Sequence, residues 1–216
     1  MRTHLVFTLL VSSLVALPVL AEDHAIGVRA GLLGIGVDYS YRLTDRIAVR
    51  GGLNGSSYSF SDTESGIDYA FSLDFDSVSV GVDIHPLKGK FRVSTGFLQN
   101  DSGLSARSQV AQTFDIGGTV YQAVDVGTLS GRIGFDSTAP FLSVGFDWLH
   151  DKKVGVAFDL GLLSQGAPKV SLSANGPIAS DPGFIADLEA ERVDLQLELD
   201  DLDLYPFAAF GIVVRF

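Results

Sequence analysis

The stretch Phe207-Ala-Ala-Phe-Gly-Ile-Val-Val-Arg-Phe216 at the end of the chain decides the fold. Counting back from Phe216, every second side chain is apolar, whereas the other row holds Arg215, Val213, Gly211 and Ala209. This alternation is typical of a β-strand with one apolar face. At the C-terminus, such a strand closes a barrel more naturally than it ends a soluble sheet, where its edge would be left open.

The opposite end of the chain has the pattern of a secretory signal peptide. Arg2 precedes an apolar run over residues 5–20, and Val19-Leu20-Ala21 fits a small-residue cleavage site. An uncleaved membrane anchor is the less favoured alternative, because the run is too short to span a bilayer and acidic residues follow it. We therefore expect a signal peptide at 1–21 and one barrel domain at 22–216.

The composition excludes several classes of protein. There are no cysteines, which excludes disulfides and thiolate metal sites. The formal charge of −11 makes the chain a poor ligand for nucleic acid. After the signal peptide, no apolar run reaches the roughly 18 residues of a transmembrane helix, although 46% of the residues are hydrophobic. The apolar residues come instead in short alternating pieces.

Eight alternating segments follow the signal peptide. The short polar links lie at 44–46, 87–90 and 150–153, and the long links at 61–70, 107–139 and 164–203. Short turns at one end and long loops at the other are typical of outer-membrane barrels, whose short turns are periplasmic. The sequence thus predicts an all-β fold: an eight-stranded antiparallel transmembrane β-barrel with long extracellular loops and both termini on the periplasmic side. The predicted strands are 25–32, 35–43, 47–60, 71–85, 91–106, 140–149, 154–163 and 204–216.

The alternation assigns one row of each strand to lipid and the other to the lumen. Apolar side chains such as Val37, Val80 and Leu160 form the outward row. Aromatic residues beside the short turns suit a girdle at the membrane interface, and they are Tyr41, Phe91, Trp148 and Phe216. A soluble lipocalin-like barrel would reverse the two faces, but its outer surface would then mix glycines with isolated charges.

Two predicted strands change phase toward the end with the long loops. In 47–60 the apolar residues are odd-numbered up to Leu53 and even-numbered at Tyr58 and Phe60, and 71–85 changes in the same way. A β-bulge is the simplest cause. We infer that these strands continue beyond the membrane as an extracellular extension.

The predicted lumen row contains nearly balanced charges. An eight-stranded barrel is only wide enough for side chains to fill it, so these charges should pair. They are filler of a closed lumen or, alternatively, the gate of a weak route for a small zwitterion. The candidate residues are Arg29, Asp38, Arg42, Arg50, Asp83, Arg92, Asp147 and Asp159.

The sequence offers no support for catalysis, a metal site or a cofactor. His24, His85 and His150 all fall on the periplasmic side, whereas the outer-membrane barrels that act on lipids work on the outer leaflet. Their spacing does not suit a metal either. We therefore expect a protein that is not an enzyme.

The last long link is acidic and contains a predicted helix. Ser180-Asp181-Pro182 resembles an N-cap followed by proline in the first turn, and leucines recur at helical spacing from Leu188. Residues 194–204 also alternate like a strand, so that alternative stays open. Residues 181–203 hold nine acidic side chains and one basic one, Arg192. This surface either concentrates cationic solutes or is simply a solvated face beneath lipopolysaccharide.

These segments together resemble the CarO-type outer-membrane porins, a family named for carbapenem susceptibility and linked to ornithine uptake, and related proteobacterial barrels. The resemblance covers nearly the whole mature chain. The segments that carry it are Gly27–Asp38, Tyr41–Arg46, Gly51–Gly55, Val82–Pro86, Ala139–Gly145 and Ser164–Leu172.

The resemblance implies a barrel in the outer membrane of a Gram-negative bacterium, without a wide channel, that takes up small amino acids. The terminal strand, like those of other outer-membrane barrels that end in Phe, is expected to be recognised by the barrel-assembly machinery. We expect a monomer in contact with outer-membrane lipid and lipopolysaccharide. The alternative function is a non-conducting barrel whose acidic extracellular loops are the functional part.

Overall fold

A computed structural model describes residues 23–64, 67–88, 90–109, 111–148 and 153–216. The predicted signal peptide at 1–21 and His150 lie outside these residues. Eight antiparallel strands form a closed barrel, and further elements form an extracellular part above it. The barrel strands are β1 (His24–Gly31), β2 (Gly34–Thr44), β3 (Ile47–Glu64), β4 (Ile67–Ile84), β5 (Phe91–Asn100), β10 (Thr138–Asp147), β11 (Val154–Ser164) and β13 (Leu204–Arg215).

The terminal strand closes the barrel, as its sequence predicts. β13 lies between β1 and β11, with Ala25 opposite Arg215 on one side and Val154 opposite Val214 on the other. The remaining pairs run β1–β2–β3–β4–β5–β10–β11, so every barrel strand has two neighbours. No edge is left within the barrel to pair with another chain.

The two rows of the barrel strands face lipid and lumen as predicted. Outward side chains such as Leu53, Val80 and Leu142 expose 59–63% of their surface, which forms an apolar belt around the barrel. The inward row is buried although it is polar, with Asp83, Ser94 and Asp159 each 1–5% exposed. Apolar side chains on the outside and satisfied backbone groups within a closed barrel are what a bilayer requires.

β3 and β4 continue far beyond the membrane, but the predicted bulges are wrong. The two strands pair without a register shift from Ile47 opposite Ile84 to Glu64 opposite Ile67. The backbone of both strands continues regularly. The apolar residues move from the lipid-facing row to the lumen-facing row because the part of each strand beyond the membrane is no longer in contact with lipid. Above Leu53 the lumen-side face is no longer enclosed by the barrel and becomes the inner face of an extracellular sheet, which carries Tyr58, Phe60 and Phe71.

That extracellular sheet consists of the upper halves of β3 and β4 together with β6 (Gly103–Ser108), β9 (Leu129–Gly134) and β12 (Lys169–Ala174). The strand predicted at 91–106 is divided at residues 101–102 into β5 and β6. Both halves pair with β4 in the same register, since Ser77 lies opposite Asn100 and Asp74 opposite Gly103. The links predicted at 107–139 and 164–203 therefore contain sheet strands.

A small hairpin and two helices cover the inner face of the extracellular sheet. The hairpin is β7 (Thr113–Ile116) with β8 (Thr119–Gln122), and the helices are α1 (Ala123–Val126) and α2 (Pro182–Leu199). Phe114, Ile116, Val126 and Phe184, all at most 2% exposed, form their common core.

The predicted helix in the last link is confirmed, and its start has the predicted cap. The Asp181 side chain accepts hydrogen bonds from the backbone N–H groups of Gly183 and Phe184, and Pro182 follows in the first turn. The helix continues to Leu199, so the alternative strand at 194–204 forms only from Leu204 onward. No helix of the described part is both long and apolar enough to cross a membrane.

Candidate functional site: the barrel lumen

Charged side chains from seven of the eight barrel strands meet in the middle of the lumen. We call this group the ion-pair layer, and it consists of Arg29, Asp38, Arg50, Asp83, Arg92, Asp147 and Asp159. Each of these residues belongs to the inward row that strand alternation predicts.

Arg92 on β5 stands at the centre of the ion-pair layer. Its guanidinium is 1% exposed and lies near three carboxylates: Nη2 is 2.8 Å from Asp159 and 3.3 Å from Asp147, and Nη1 is 3.5 Å from Asp83. A buried guanidinium is stable only when its charge is compensated by such partners. Arg92 therefore ties β4, β10 and β11 to β5 across the lumen.

Arg29 on β1 reaches the same group of carboxylates from the opposite wall. Its Nε donates to Asp38 at 2.5 Å, and its Nη1 donates to Asp159. Arg50 on β3 pairs with Asp83 at 3.0 Å. A continuous chain of pairs thus runs from Asp38 through Arg29, Asp159, Arg92 and Asp83 to Arg50.

Glycines on the lumen wall leave the room that these side chains occupy. A Cβ atom on Gly145 would lie 2.7 Å from Nη2 of Arg92 and 2.8 Å from Asp159. A Cβ atom on Gly211 of β13, the one barrel strand without a charge in the layer, would lie 2.7 Å from Cγ of Arg29. At these two positions, glycine therefore leaves the space that the arginines occupy.

The ion-pair layer carries one more negative than positive charge when His85 is neutral. Three arginines face four aspartates, and His85 lies beside the fourth, with Nε2 3.5 Å from Asp147. The layer is therefore close to neutral and presents both signs of charge to whatever enters the lumen.

A second closure lies above the ion-pair layer, toward the extracellular end. Leu98, Ala139, Leu163 and Phe207 are buried against one another, and Leu33, Phe141 and Tyr205 pack around them. We call these seven residues the apolar layer. Leu33 comes from the two-residue turn between β1 and β2, and the Tyr205 hydroxyl donates to the Leu32 carbonyl at 3.0 Å.

Sequence reasoning missed this apolar layer. Phe207 and Leu163 do have the inward parity of their strands, but both lie where the strands leave the membrane. The parity of Phe207 with Ala209 and Gly211 would have revealed it.

Two small cavities remain in the lumen, one on each side of the ion-pair layer. The upper cavity, of about 80 Å³, lies between the ion-pair layer and the apolar layer. The lower cavity, of about 50 Å³, opens toward the periplasmic mouth. Residues of the ion-pair layer border each of these cavities. Arg29 and Asp38 border both of them. Among the described residues, the ion-pair layer separates these two cavities, and the apolar layer covers the upper one.

Arg42 is the one predicted lumen charge that stands apart from the ion-pair layer. It lines the lower cavity near the periplasmic mouth, beside Asp23 and Arg215. Within the part of the chain that the structure describes, its guanidinium makes no ion pair. The expectation that every lumen arginine pairs with an aspartate is therefore met by Arg29, Arg50 and Arg92.

The structure places the four predicted girdle residues at the end with the short turns. Tyr41 and Trp148 are exposed on the outer face, and Phe91 contacts Phe146, which in turn contacts Trp148. Phe216 stacks on His24 with ring centroids 6.0 Å apart. His24 also shares a 2.5 Å hydrogen bond with Tyr39, so this histidine belongs to the girdle. Its parity with Ile26 and Val28 could have predicted that.

No clustered metal ligands are found in the described ranges: no group of three or more His, Cys, Asp or Glu side chains there could hold a metal ion. Of the predicted periplasmic histidines, His24 packs in the girdle and His85 faces Asp147 at the lumen mouth. Their surroundings are those of an interfacial aromatic cluster and an ion pair.

Comparisons with known proteins support the fold. Neither protein-family models nor the sequences of curated proteins match this chain. Among solved structures, CarO2 of Acinetobacter baumannii is similar, with a TM-score of 0.61 and 20% identity over 89% of this chain and 98% of that chain. CarO of Acinetobacter baumannii is similar too, with a TM-score of 0.58 and 21% identity over 90% of this chain and 97% of that chain.

The resemblance to CarO-type barrels that the sequence indicates is thus confirmed for the fold. The architecture is that of an eight-stranded outer-membrane barrel with a folded extracellular part. Together with the apolar belt, it places the protein in the outer membrane of a Gram-negative bacterium.

Proposed function

We propose that the protein is a porin-like barrel of low flux, through which small zwitterionic or basic amino acids pass by exchanging with the ion-pair layer. The architecture described above is that of an outer-membrane barrel with a porin-like fold. The amino-acid route is the proposal. It is supported by the family resemblance and by the chemistry of the lumen.

One observation carries the proposal: Arg29 and Asp38 border both the upper and the lower cavity. A solute on either side of the layer therefore meets one guanidinium and one carboxylate that are already paired. An amino acid carries the same two charges. Its carboxylate can therefore replace Asp38 as the partner of Arg29, while its ammonium group pairs with the carboxylate of Asp38. Such an exchange avoids the large cost of leaving buried charges unpaired.

The extracellular surface suits cationic solutes in particular. The chain carries a formal charge of −11, and nine acidic side chains lie within residues 181–203 on the extracellular side. A surface of one sign raises the local concentration of ions of the opposite sign. Basic amino acids would therefore be enriched at the outer mouth over neutral solutes.

The apolar layer favours the second candidate function, a barrel that conducts nothing. Leu98, Ala139 and Leu163 are 0–3% exposed and offer a charged solute no partner. In that case, the barrel is a membrane scaffold and the folded extracellular part is functional.

We further propose that the protein is a monomer in contact with lipid and lipopolysaccharide, and that the barrel-assembly machinery recognises its C-terminal strand. The support is the position of Phe216 on the periplasmic rim, against His24.

Solute flux into proteoliposomes distinguishes the two functions. Liposomes containing the purified barrel are exposed to ornithine or glycine, and swelling is compared with that of empty liposomes. We expect slow swelling above the empty control, and faster swelling for the variant Phe207→Ala, which reduces the apolar layer. Swelling no faster than in empty liposomes for both proteins would contradict the transport proposal and support the scaffold.

A further inference from the structure

The extracellular part contains a cleft of about 530 Å³ between the inner face of the sheet and helix α2. Leu104, Ile133 and Leu172 form its floor, and Leu195 and Leu199 of the helix form its roof. These side chains are half-buried, so the cleft is open to solvent. It lies on the far side of the apolar layer from the lumen, and no residue of the ion-pair layer lines it.

The helix is held over this cleft at both ends. At its N-terminal end, Phe184 is 1% exposed in the core shared with the β7–β8 hairpin. Toward its C-terminal end, Gln196 accepts a hydrogen bond from the N–H of Val170 at 3.1 Å and donates to the carbonyl of Pro168 at 2.5 Å. The roof is therefore fixed above the floor, and the cleft is preformed.

The size and lining of the cleft suit a small organic molecule. Ligand pockets usually measure about 300–1,000 Å³ and are mostly apolar with a few placed polar groups. The described cleft has both properties. Leucine and isoleucine side chains cover its floor and roof, and its acidic groups lie to one side, where α2 faces the hairpin.

The charge of those polar groups is negative. Glu191 lines the cleft, and its Oε2 accepts a hydrogen bond from the Gly117 N–H at 3.1 Å, which fixes the carboxylate while Oε1 has no partner among the described residues. Asp115 of the hairpin also lines the cleft. Arg132 is the one basic residue on the lining, but its parity places it with Ser105 and Ser171 on the opposite face of the sheet.

We propose that this cleft binds a small amphipathic cation, whose apolar body lies between α2 and the sheet and whose ammonium or guanidinium group pairs with Glu191. The site is separate from the lumen and does not depend on transport. An apolar surface with a fixed carboxylate at its rim complements such a molecule in both shape and charge.

Binding to the mature barrel in lipid nanodiscs tests the proposal. The probes share one skeleton and differ in charge: 4-phenylbutylammonium, 4-phenylbutanol and 4-phenylbutanoate. Calorimetric titration, corrected by empty nanodiscs for partition into lipid, should show the ammonium binding about fivefold more tightly than the alcohol, the effect of one partly exposed ion pair. The carboxylate should bind most weakly.

Matched variants locate the site. Ala106→Phe fills the cleft and should abolish binding of the ammonium, whereas Ala70→Phe, the same change on the opposite face of the same sheet, should not. Glu191→Gln should lower the affinity for the ammonium to that for the alcohol, whereas Glu189→Gln, whose side chain pairs with Arg192 and does not line the cleft, should leave it unchanged. The heat-dependent shift on gels verifies that each variant is a folded barrel.

Four results would overturn the proposal: no binding of any probe, equal binding of all three, tighter binding of the carboxylate, or ammonium binding that survives Ala106→Phe in a folded barrel.

Discussion

Arg29 and Arg92 extend from opposite walls of the barrel and meet at the same carboxylate, that of Asp159. Arg29 lies on β1 and Arg92 on β5, four strands apart in a barrel of eight. Nη2 of Arg92 is 2.8 Å from Asp159, and Nη1 of Arg29 donates to its other oxygen. One aspartate therefore joins the two halves of the lumen.

Replacing this aspartate should destabilise the barrel strongly. Asp159→Asn leaves two buried guanidinium groups with one carboxylate fewer, and breaking a buried pair in this way costs about 3 kcal/mol. We expect a lower free energy of unfolding in urea and a lower temperature for the gel shift. The surface pair of Lys169 and Asp136, 2.7 Å apart and half-exposed, provides the control. Asp136→Asn should cost less than about 1 kcal/mol, and equal losses for the two variants would show that the layer does not hold the barrel together.

The room left by Gly145 should be as necessary as the charges. In Gly145→Ala the new methyl group meets Arg92 and Asp159 at less than 3 Å. Overpacking of this kind costs about 1–3 kcal/mol. Gly51→Ala is the matched change on the lipid face, where the nearest atom is 3.7 Å away. Gly51→Ala should be neutral or should stabilise the barrel by up to about 1 kcal/mol. If urea unfolding showed Gly51→Ala to be less stable than Gly145→Ala, the assignment of the two faces would be wrong.

The alternating residues predicted the barrel and the ion-pair layer because both depend on strand parity alone. Once strands at 25–32 and 154–163 are placed, Arg29 and Asp159 must face inward. The sequence could not predict which charges pair, because pairing depends on the positions of residues along the barrel axis, on strands that are far apart in the chain. Arg42 shows this limit. It belongs to the inward row as predicted, but its position along the barrel axis is at the periplasmic mouth, away from the ion-pair layer.

The contact between Asp187 of α2 and Tyr121 of the hairpin should depend on pH. The Tyr121 hydroxyl donates to Asp187 at 2.6 Å. This hydrogen bond lowers the pKa of the Asp187 carboxyl and raises the pKa of the Tyr121 hydroxyl. Because the pKa of the Asp187 carboxyl is lowered, the stabilisation that this hydrogen bond gives to the folded state is present above about pH 4 and is lost as the pH falls further. The raised hydroxyl pKa means that the contact is lost again as the pH rises beyond about 10.

NMR titration of the Asp187 carboxyl carbon can verify this contact. In the wild type, its midpoint should lie below the ordinary aspartate value, and in Tyr121→Phe it should rise toward that value, because only the hydrogen bond from Thr119 then lowers the pKa. Tyr58→Phe, at the distant end of the extracellular sheet, should have no effect. An unchanged midpoint in Tyr121→Phe would exclude the hydrogen bond as the cause.

Gln196 should protect the open edge of the extracellular sheet. β12 pairs with β9 on one side only, and Gln196 accepts from the Val170 N–H on the other. Unpaired strand edges invite pairing with other chains. We therefore expect Gln196→Ala to accelerate hydrogen exchange at Val170 and to increase aggregation. Leu197→Ala, which alters the neighbouring exposed side chain, should change neither, and unaltered exchange in Gln196→Ala would refute this role.

The extracellular part shows where reasoning from the sequence fails. β9 and β12 have six residues each, and alternation over so few residues does not by itself distinguish a strand from a loop. They form strands because β4 continues above the membrane and offers an edge to β6, to which β9 and then β12 are added. The phase change in β4 has a related cause, because Phe71 on the inner face of the sheet lines the cleft beneath α2. On β3, Tyr58 and Phe60 remain exposed and pack instead against Phe75 and Phe71 of β4.

The flux of a zwitterion relative to a neutral solute of similar size tests the central claim most directly. Proteoliposomes are compared for uptake of glycine and of glycolamide, with the wild type and with Asp159→Asn reconstituted in equal amounts. If solutes exchange with the ion-pair layer, the wild type admits glycine faster than glycolamide, and Asp159→Asn reduces that preference. Wild-type flux that is equal for both solutes, or no greater than in empty liposomes, would contradict the account.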